Sequence, residues 1–449
     1  MRASSLVGHV VEVLDVVRGE RRPADAIVRE FFRARHYLGA SDRRYIAERT
    51  FDVLRHHTLV THYCTEAIAT LGVQRSYARV PSITLAAAYE LRCGTTLRTP
   101  QELLGDFAGL WRMSLPELDC SAFLNAVCRV EFPDSLRSDR ERFLSLQHSL
   151  PAFLLRDWLR RYGEEEALLL CKAINGPAPV TVRVNTLKCS VDQCREALRA
   201  EGIDARPTLL SPAGLTLSKR INAQGVRAFK QGWFEMQDEG SQLLSLLAGP
   251  RPGMVVIDAC AGGGGKSLHC AALMENRGTL IAVDVDRTKL TNFEERTRRA
   301  GVNIARTVAA PPDADPEELR GLQADVVFVD APCSGTGTLR RSPWLKLSLS
   351  EESVEPLTRI QRALLDRYAP LVKPGGRLVY ATCSLLEREN QAISGAFLRG
   401  HQEFAPLPVR EAAGNAALPA GDAACGCLEL LPHRTGTDGF FGAVMVRKH

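Results

Sequence analysis

Four apolar runs in the carboxyl-terminal half, Val255–Asp258, Thr279–Asp284, 325–330 and 376–382, are separated by helical patterns, and this alternation constrains the fold more than anything else in the chain. Strands that alternate with helices build a parallel sheet covered on both faces, so the spacing predicts an α/β doubly wound architecture. Ligands of such sheets sit beyond the carboxyl ends of the strands. The residues that close each run are therefore the first place to look for chemistry.

The first run leads into Asp258-Ala259-Cys260-Ala261-Gly262-Gly263-Gly264-Gly265-Lys266 and then a helical pattern. Glycines let the backbone approach a ligand closely, and the amide dipole of the following helix favours a carboxylate or phosphate. Asp284 closes the second run and suits ribose hydroxyls, so loop and acid together predict an adenosine-containing cofactor. A nicotinamide dinucleotide is the alternative, although an all-glycine run satisfies the Gly-x-Gly-x-x-Gly rhythm only nominally. The third run closes on Asp330-Ala331-Pro332-Cys333-Ser334-Gly335 and the fourth on Tyr380-Ala381-Thr382-Cys383-Ser384. Each is a thiol followed by serine at a strand end, which predicts one shared pocket and covalent catalysis by cysteine. Lys266 is placed to favour a thiolate there.

A chain of 449 residues is expected to form two or three domains. With 45% hydrophobic and 24% charged residues and no long apolar run, it reads as a globular protein without a membrane segment. Met1-Arg2-Ala3-Ser4-Ser5 does not begin a secretory signal, so the expected location is cytoplasmic. Thirteen cysteines without a paired pattern argue for reduced thiols, and no ligand spacing calls for a metal. A net charge of +5, carried mostly by arginine, is a mild pointer to a polyanion such as RNA.

The amino-terminal part reads as helical throughout. One helix is expected over 24–38, Ser41 is expected to cap the next, and 83–91 and 101–110 continue the bundle. Pro151 suits the first turn of a helix bearing Leu154, Leu155, Trp158 and Leu159, and Asn175-Gly176-Pro177 stops the helix after it. The period then changes to two: Val180, Val182 and Val184 alternate with Thr181, Arg183 and Asn185, which predicts a strand with Arg183 and Asn185 outward. A helix over 190–201 and a short strand over 215–217 complete a small mixed subdomain. The expected divisions are 1–145, 146–235 and 236–449.

Taken together, these cassettes resemble the NOL1/NOP2/Sun family of RNA cytosine-5 methyltransferases, in particular its bacterial 16S rRNA members with an amino-terminal NusB-like domain. The resemblance also rests on Arg183-Val184-Asn185-Thr186, Gln237-Asp238-Glu239-Gly240-Ser241-Gln242, Glu389-Asn390 and Asp438-Gly439-Phe440-Phe441. It implies a Rossmann-like methyltransferase domain, a NusB-like helical domain and a small α/β RNA-binding subdomain. It makes S-adenosyl-L-methionine the cofactor, held by Cys260 through Lys266, Asp284 and Asp330. The family chemistry is addition of a thiolate to cytosine carbon 6, which makes carbon 5 nucleophilic. By resemblance Cys383 attacks, Cys333 releases product, Asp330 assists at the base, and Arg340 and Arg341 contact RNA with Arg183 and Asn185. The expected partner is small-subunit ribosomal RNA, the expected state a monomer. Transfer RNA is the alternative substrate, and an inactive RNA-assembly factor the alternative function. One departure stands out: family members carry an acid near the adenine in the stretch between the second and third apolar runs, where this chain reads Val308-Ala309-Ala310-Pro311-Pro312-Asp313.

Overall fold

The computed structural model describes residues 1–449 apart from 21, 74–78, 95–96, 312–315, 415–417 and 420–425, so Asp313 lies outside the described residues. The chain forms two compact units, Met1–Gly176 with Leu339–Ser350, and Pro177–Thr338 with Glu351–His449.

The first unit is helical. Its core gathers Val13, Leu14, Ile46, Val60, Leu85, Phe107, Trp111 and Phe123 from successive helices. The helix Ala3–Gly19, which precedes the predicted bundle, buries Val7, Val10, Val13, Leu14 and Val17 along one stripe. The predicted helix over 24–38 stops at Arg33. Its successor, Ala40–Arg55, begins at Gly39 rather than Ser41, and the Gly39 amide donates to Asp42 Oδ2 at 3.3 Å. Ala152–Asn175 follows Pro151 and is broken at Gly163, whose φ of 78° no helix can continue through. Within the same unit, the segment Leu339–Ser350 brings Trp344 against the helical core, 6.0 Å from the Phe51 ring.

The second unit holds two sheets. The smaller has strand order β2-β3-β1-β4, with β1 Val180–Val184, β2 Ala205–Pro207, β3 Gly214–Leu217 and β4 Phe234–Met236. Its helix Val191–Ala200 is capped by Ser190, whose Oγ accepts from the Gln193 amide at 3.1 Å. The larger sheet contains β5 Val255–Asp258, β6 Thr279–Asp284, β7 Ala305–Ala309, β8 Ala324–Asp330 and β9 Val372–Thr382, all parallel to one another. It then continues through β10 Phe404–Leu407, β11 Leu428–Leu430 and β12 Phe440–Arg447, which pair antiparallel. The four predicted strands are parallel, and the sheet is extended into a mixed one because the apolar run after Gly439 returns antiparallel along β9.

Alternate residues of the central strands enter two cores. Val256, Leu280, Ala282, Val326 and Phe328 face one, while Ile257, Ile281, Val283, Val327 and Val329 face the other. That double burial is what a parallel sheet needs. It leaves only the strand ends free for polar chemistry.

Candidate active site

β8 and β9 are neighbours, with Asp330 opposite Ala381, so the two cysteine cassettes emerge side by side. The Ala331 amide donates to the Ala381 carbonyl at 2.9 Å, and two residues further along each chain segment Cys333 Sγ and Cys383 Sγ stand 3.4 Å apart. At this distance the sulfurs share a hydrogen bond but no covalent bond. Both are free and half-buried, as a reactive group that must meet a large substrate needs to be. The Cys333 thiol is pushed well above its ordinary range, first by its hydrogen bond to Cys383, then by burial and by the charges of Cys383 and Glu389.

Close backbone packing fixes both loops. The Gly337 amide donates to the Cys383 carbonyl at 2.9 Å, and the Gly439 amide donates to the Gly337 carbonyl at 2.8 Å. A Cβ on Gly337 would lie 2.1 Å from the Gly439 carbonyl oxygen, so no larger residue fits. Thr336 Oγ1 accepts from the Leu385 amide at 2.8 Å. The Gly335-Thr336-Gly337 and Asp438-Gly439 motifs are therefore parts of one scaffold under the thiols.

Lys266 Nζ donates to Asp330 Oδ2 at 2.5 Å. Burial alone would lower the lysine, but Asp330, with smaller help from Cys383 and Asp258, raises it and holds it charged. The cation also lies 6.0 Å from the Phe440 ring. Lys266 is thus joined to Asp330 while remaining within electrostatic reach of Cys383.

The glycine loop fits a close-lying ligand. Gly262 has φ of 53° and open space where a Cβ would be; Gly264 has φ of 76°, and a Cβ there would meet the Phe293 ring at 1.9 Å. Gly265 opens the helix Gly265–Leu273. Asp284 is held at the end of β6 by two backbone donors, Gly262 N–H at 2.8 Å and Asp286 N–H at 2.9 Å. Val285 beside it is 62% exposed, an apolar surface next to an acid. Cys260 and Ala261 line the turn; burial pushes the Cys260 thiol well up, which makes it an inert neighbour. Beneath the loop, Asp258 accepts from Ser267 Oγ at 2.5 Å, and burial raises its carboxyl to about 7.

The expected surface RNA contacts of Arg183, Asn185 and Arg340 are corrected by their burial, whereas Arg341 keeps part of its surface open. Arg183 and Asn185 are 2% and 5% exposed, because the sheet carrying β1 is covered on the face expected to be open. Arg183 donates to the Gly265 carbonyl at 3.1 Å, and Asn185 Nδ2 donates to the Gly232 and Ala300 carbonyls at 2.8 Å each. Glu235 on β4 pairs with Arg296 and Arg299, and Arg296 donates in turn to the Gly263 carbonyl. These residues brace the glycine loop. Arg340 is likewise buried at 5%, its carbonyl accepting from Arg55, while Arg341 is half-buried; both belong to the helical unit. A buried guanidinium offers no open face to RNA.

Sequence reasoning missed the polar hub between the cassettes. Glu389, fully buried, accepts from Ser334, Ser384 and Gln361. Its place in Glu389-Asn390 was a visible signal; Gln361, buried on the helix Glu351–Tyr368, had none. Among the described residues no group of three or more His, Cys, Asp or Glu side chains could hold a metal, and no helix is long and apolar enough to cross a membrane.

Residues 245–446 match the model of the 16S rRNA methyltransferase RsmB/F family, and residues 150–224 match the ferredoxin-like domain of RsmF/B-like methyltransferases. Solved structures include PH0851, which is 25% identical with a TM-score of 0.80 and covers 100% of this chain and 99% of its own. Ribosomal RNA small subunit methyltransferase B of Pseudomonas syringae is 30% identical over 85% of this chain and 81% of its own length. The corresponding Bacillus subtilis protein, named as a probable ribosomal RNA small subunit methyltransferase B, is 34% identical over 73% of this chain and 74% of its own. The nicotinamide alternative falls with these matches, and the chain belongs to the RsmB/F family of 16S rRNA methyltransferases.

Proposed function

We propose that this enzyme methylates carbon 5 of a cytosine in small-subunit ribosomal RNA through a covalent adduct between Cys383 and carbon 6. The observation that carries the reading is the pair of free thiols 3.4 Å apart at the ends of adjacent parallel strands, beside the Lys266 and Asp330 ion pair. Cytosine carbon 5 is a poor nucleophile. When the Cys383 thiolate forms a bond to carbon 6, the ring double bond shifts its electrons toward N3 and carbon 5 gains enamine character. Asp330, held by Lys266, orients the base, and a proton shared between its carboxyl and N3 answers the negative charge that develops there. After transfer, a base takes the carbon 5 proton, the electrons of that bond restore the ring double bond and Cys383 leaves as thiolate; Cys333 serves this release.

S-adenosyl-L-methionine, when bound, supplies a methyl group on a positively charged sulfur. The residues that would hold it are Cys260, Ala261, the backbone of Gly262, Gly263, Gly264 and Gly265, then Lys266, Asp284 and Asp330. The open space at Gly262 and the ordered carboxylate of Asp284 support that assignment. We assign RNA binding to 1–145 and 146–235 and catalysis to 236–449, in a cytoplasmic enzyme acting as a monomer. The target base must be unstacked to reach a thiol at a strand end.

The test is transfer of labelled methyl to unmodified small-subunit and transfer RNA, followed by digestion to nucleosides. Label in 5-methylcytidine from the small-subunit RNA is expected. Label in another nucleoside contradicts the chemistry, label in transfer RNA alone reassigns the substrate, and RNA binding without transfer favours an assembly factor.

A further inference from the structure

Glu389 lies where both cysteine cassettes can be held at once. It ends the short turn Glu387–Glu389 and is 0% exposed. The Ser334 amide donates to its Oε1 at 2.9 Å and Gln361 Nε2 to the same oxygen at 3.0 Å; the Ser384 hydroxyl donates to Oε2 at 2.5 Å, joined there by the Ser334 hydroxyl. Ser334 directly follows Cys333 and Ser384 directly follows Cys383. One carboxylate therefore receives a donor from each cassette, and four donors suit its acceptor-only ionised form. Burying such a group costs several kcal/mol unless donors replace water, so their full number matters.

The surrounding contacts lock the hub. Gln361 Nε2 also donates to the Pro332 carbonyl at 2.9 Å, one residue before Cys333. Tyr380 donates from its hydroxyl to the Glu389 carbonyl at 2.5 Å. Asn390, next in sequence, accepts from Thr382 Oγ1 at 2.6 Å and donates to the Ser384 carbonyl at 2.9 Å, so the residues flanking Cys383 are held from both sides. None of these bonds reaches the glycine loop.

We propose that Glu389 is a positioning residue of the methyl transfer: its carboxylate, taking donors from Ser334, Ser384 and Gln361, clamps the two cassettes in one geometry and sets a negative charge beside Cys333. The clamp rests on the function proposed above, since it gives a use to both thiols. The groups that face Cys333 electrostatically are Cys383 and Tyr380 from the end of β9 and Glu389 from its turn. The Lys266 and Asp330 pair faces Cys383, and Cys260 faces Tyr380. Of these, Glu389 and Cys383 are the ones that push Cys333 upward by charge.

The experiment is alkylation of the free protein by iodoacetamide between about pH 7 and 11, a span reaching well above ordinary thiol ionisation, with Cys333 read by peptide mass spectrometry. Glu389→Gln keeps the shape and removes the charge. The Cys333 midpoint is expected to fall by about one pH unit, with methyl transfer down about a hundredfold as the geometry loosens. Ser384→Ala keeps the charge, so it should lower transfer while leaving that midpoint in place. A Cys333 midpoint unchanged in Glu389→Gln overturns the proposal. If Glu389→Gln does not fold, Glu389→Asp withdraws the charge by one methylene and should shift the midpoint in the same direction; no shift there also overturns it. Because alkylation uses neither RNA nor methyl donor, a midpoint that moves in an enzyme making no 5-methylcytidine would retain the charge effect and reject the methylation reading.

Discussion

Single residues carry two kinds of work here, and burial separates them. Cys333, Cys383 and Asp330 stand at strand ends with part of their surface open, whereas Arg183, Asn185 and Glu389 are buried and act on backbone or on neighbours. The cysteines were legible because a strand end leaves its next few residues outside the two cores. Arg183 was not, because alternation shows which residues share a face but not whether that face is covered. Its contact to the Gly265 carbonyl leads to a definite expectation. Arg183→Met should weaken binding of S-adenosylhomocysteine about tenfold, the worth of one charge-assisted hydrogen bond, and leave RNA affinity near its original value. Equilibrium dialysis and filter binding measure the two. Lower RNA affinity with unchanged cofactor binding would restore the surface role.

At the scale of elements, the four carboxyl-terminal strands read from sequence are the ones that bear the site, and their apolar alternation into two cores explains why they were visible. β7, β10 and β12 were not, since the first two are short and the last returns antiparallel from a glycine motif that reads as a loop. In the helical unit, the junction of Ala40–Arg55 with His57–Thr70 carries an unforeseen acid sensitivity. Burial holds His56 to about 4, with repulsion from Lys346 and Arg55 adding to it, and burial then Arg18 holds His57 to about 4, against an ordinary 6.5. As pH falls, the unfolded chain takes up these protons first. The contribution is complete above 6.5 and is lost on the way down to 4, up to roughly 3 kcal/mol for each histidine. Melting followed between these limits should show a smaller acid loss in a His56→Gln, His57→Gln double variant. Equal acid loss in both proteins would exclude the junction as its source.

At the scale of the whole molecule, the segment Leu339–Ser350 comes soon after the Cys333 loop in sequence yet belongs to the helical unit. Lys346 donates to the Arg55 carbonyl at 2.8 Å and to Asn175 Oδ1 at 2.7 Å, and Trp344 packs beside Phe51. No local pattern could reveal that docking, because its partners lie far away in sequence. Trp344→Ala should open the segment to trypsin at Arg340 and Arg341; unchanged digestion would mean that the ring does not hold it. The central claim, a covalent route divided between two thiols, is tested most directly by trapping. Cys333→Ala incubated with methyl donor and small-subunit RNA should accumulate a protein–RNA adduct that survives denaturing electrophoresis and disappears in the Cys333→Ala, Cys383→Ala double variant. An adduct that persists in the double variant would contradict the assignment of Cys383 as the nucleophile.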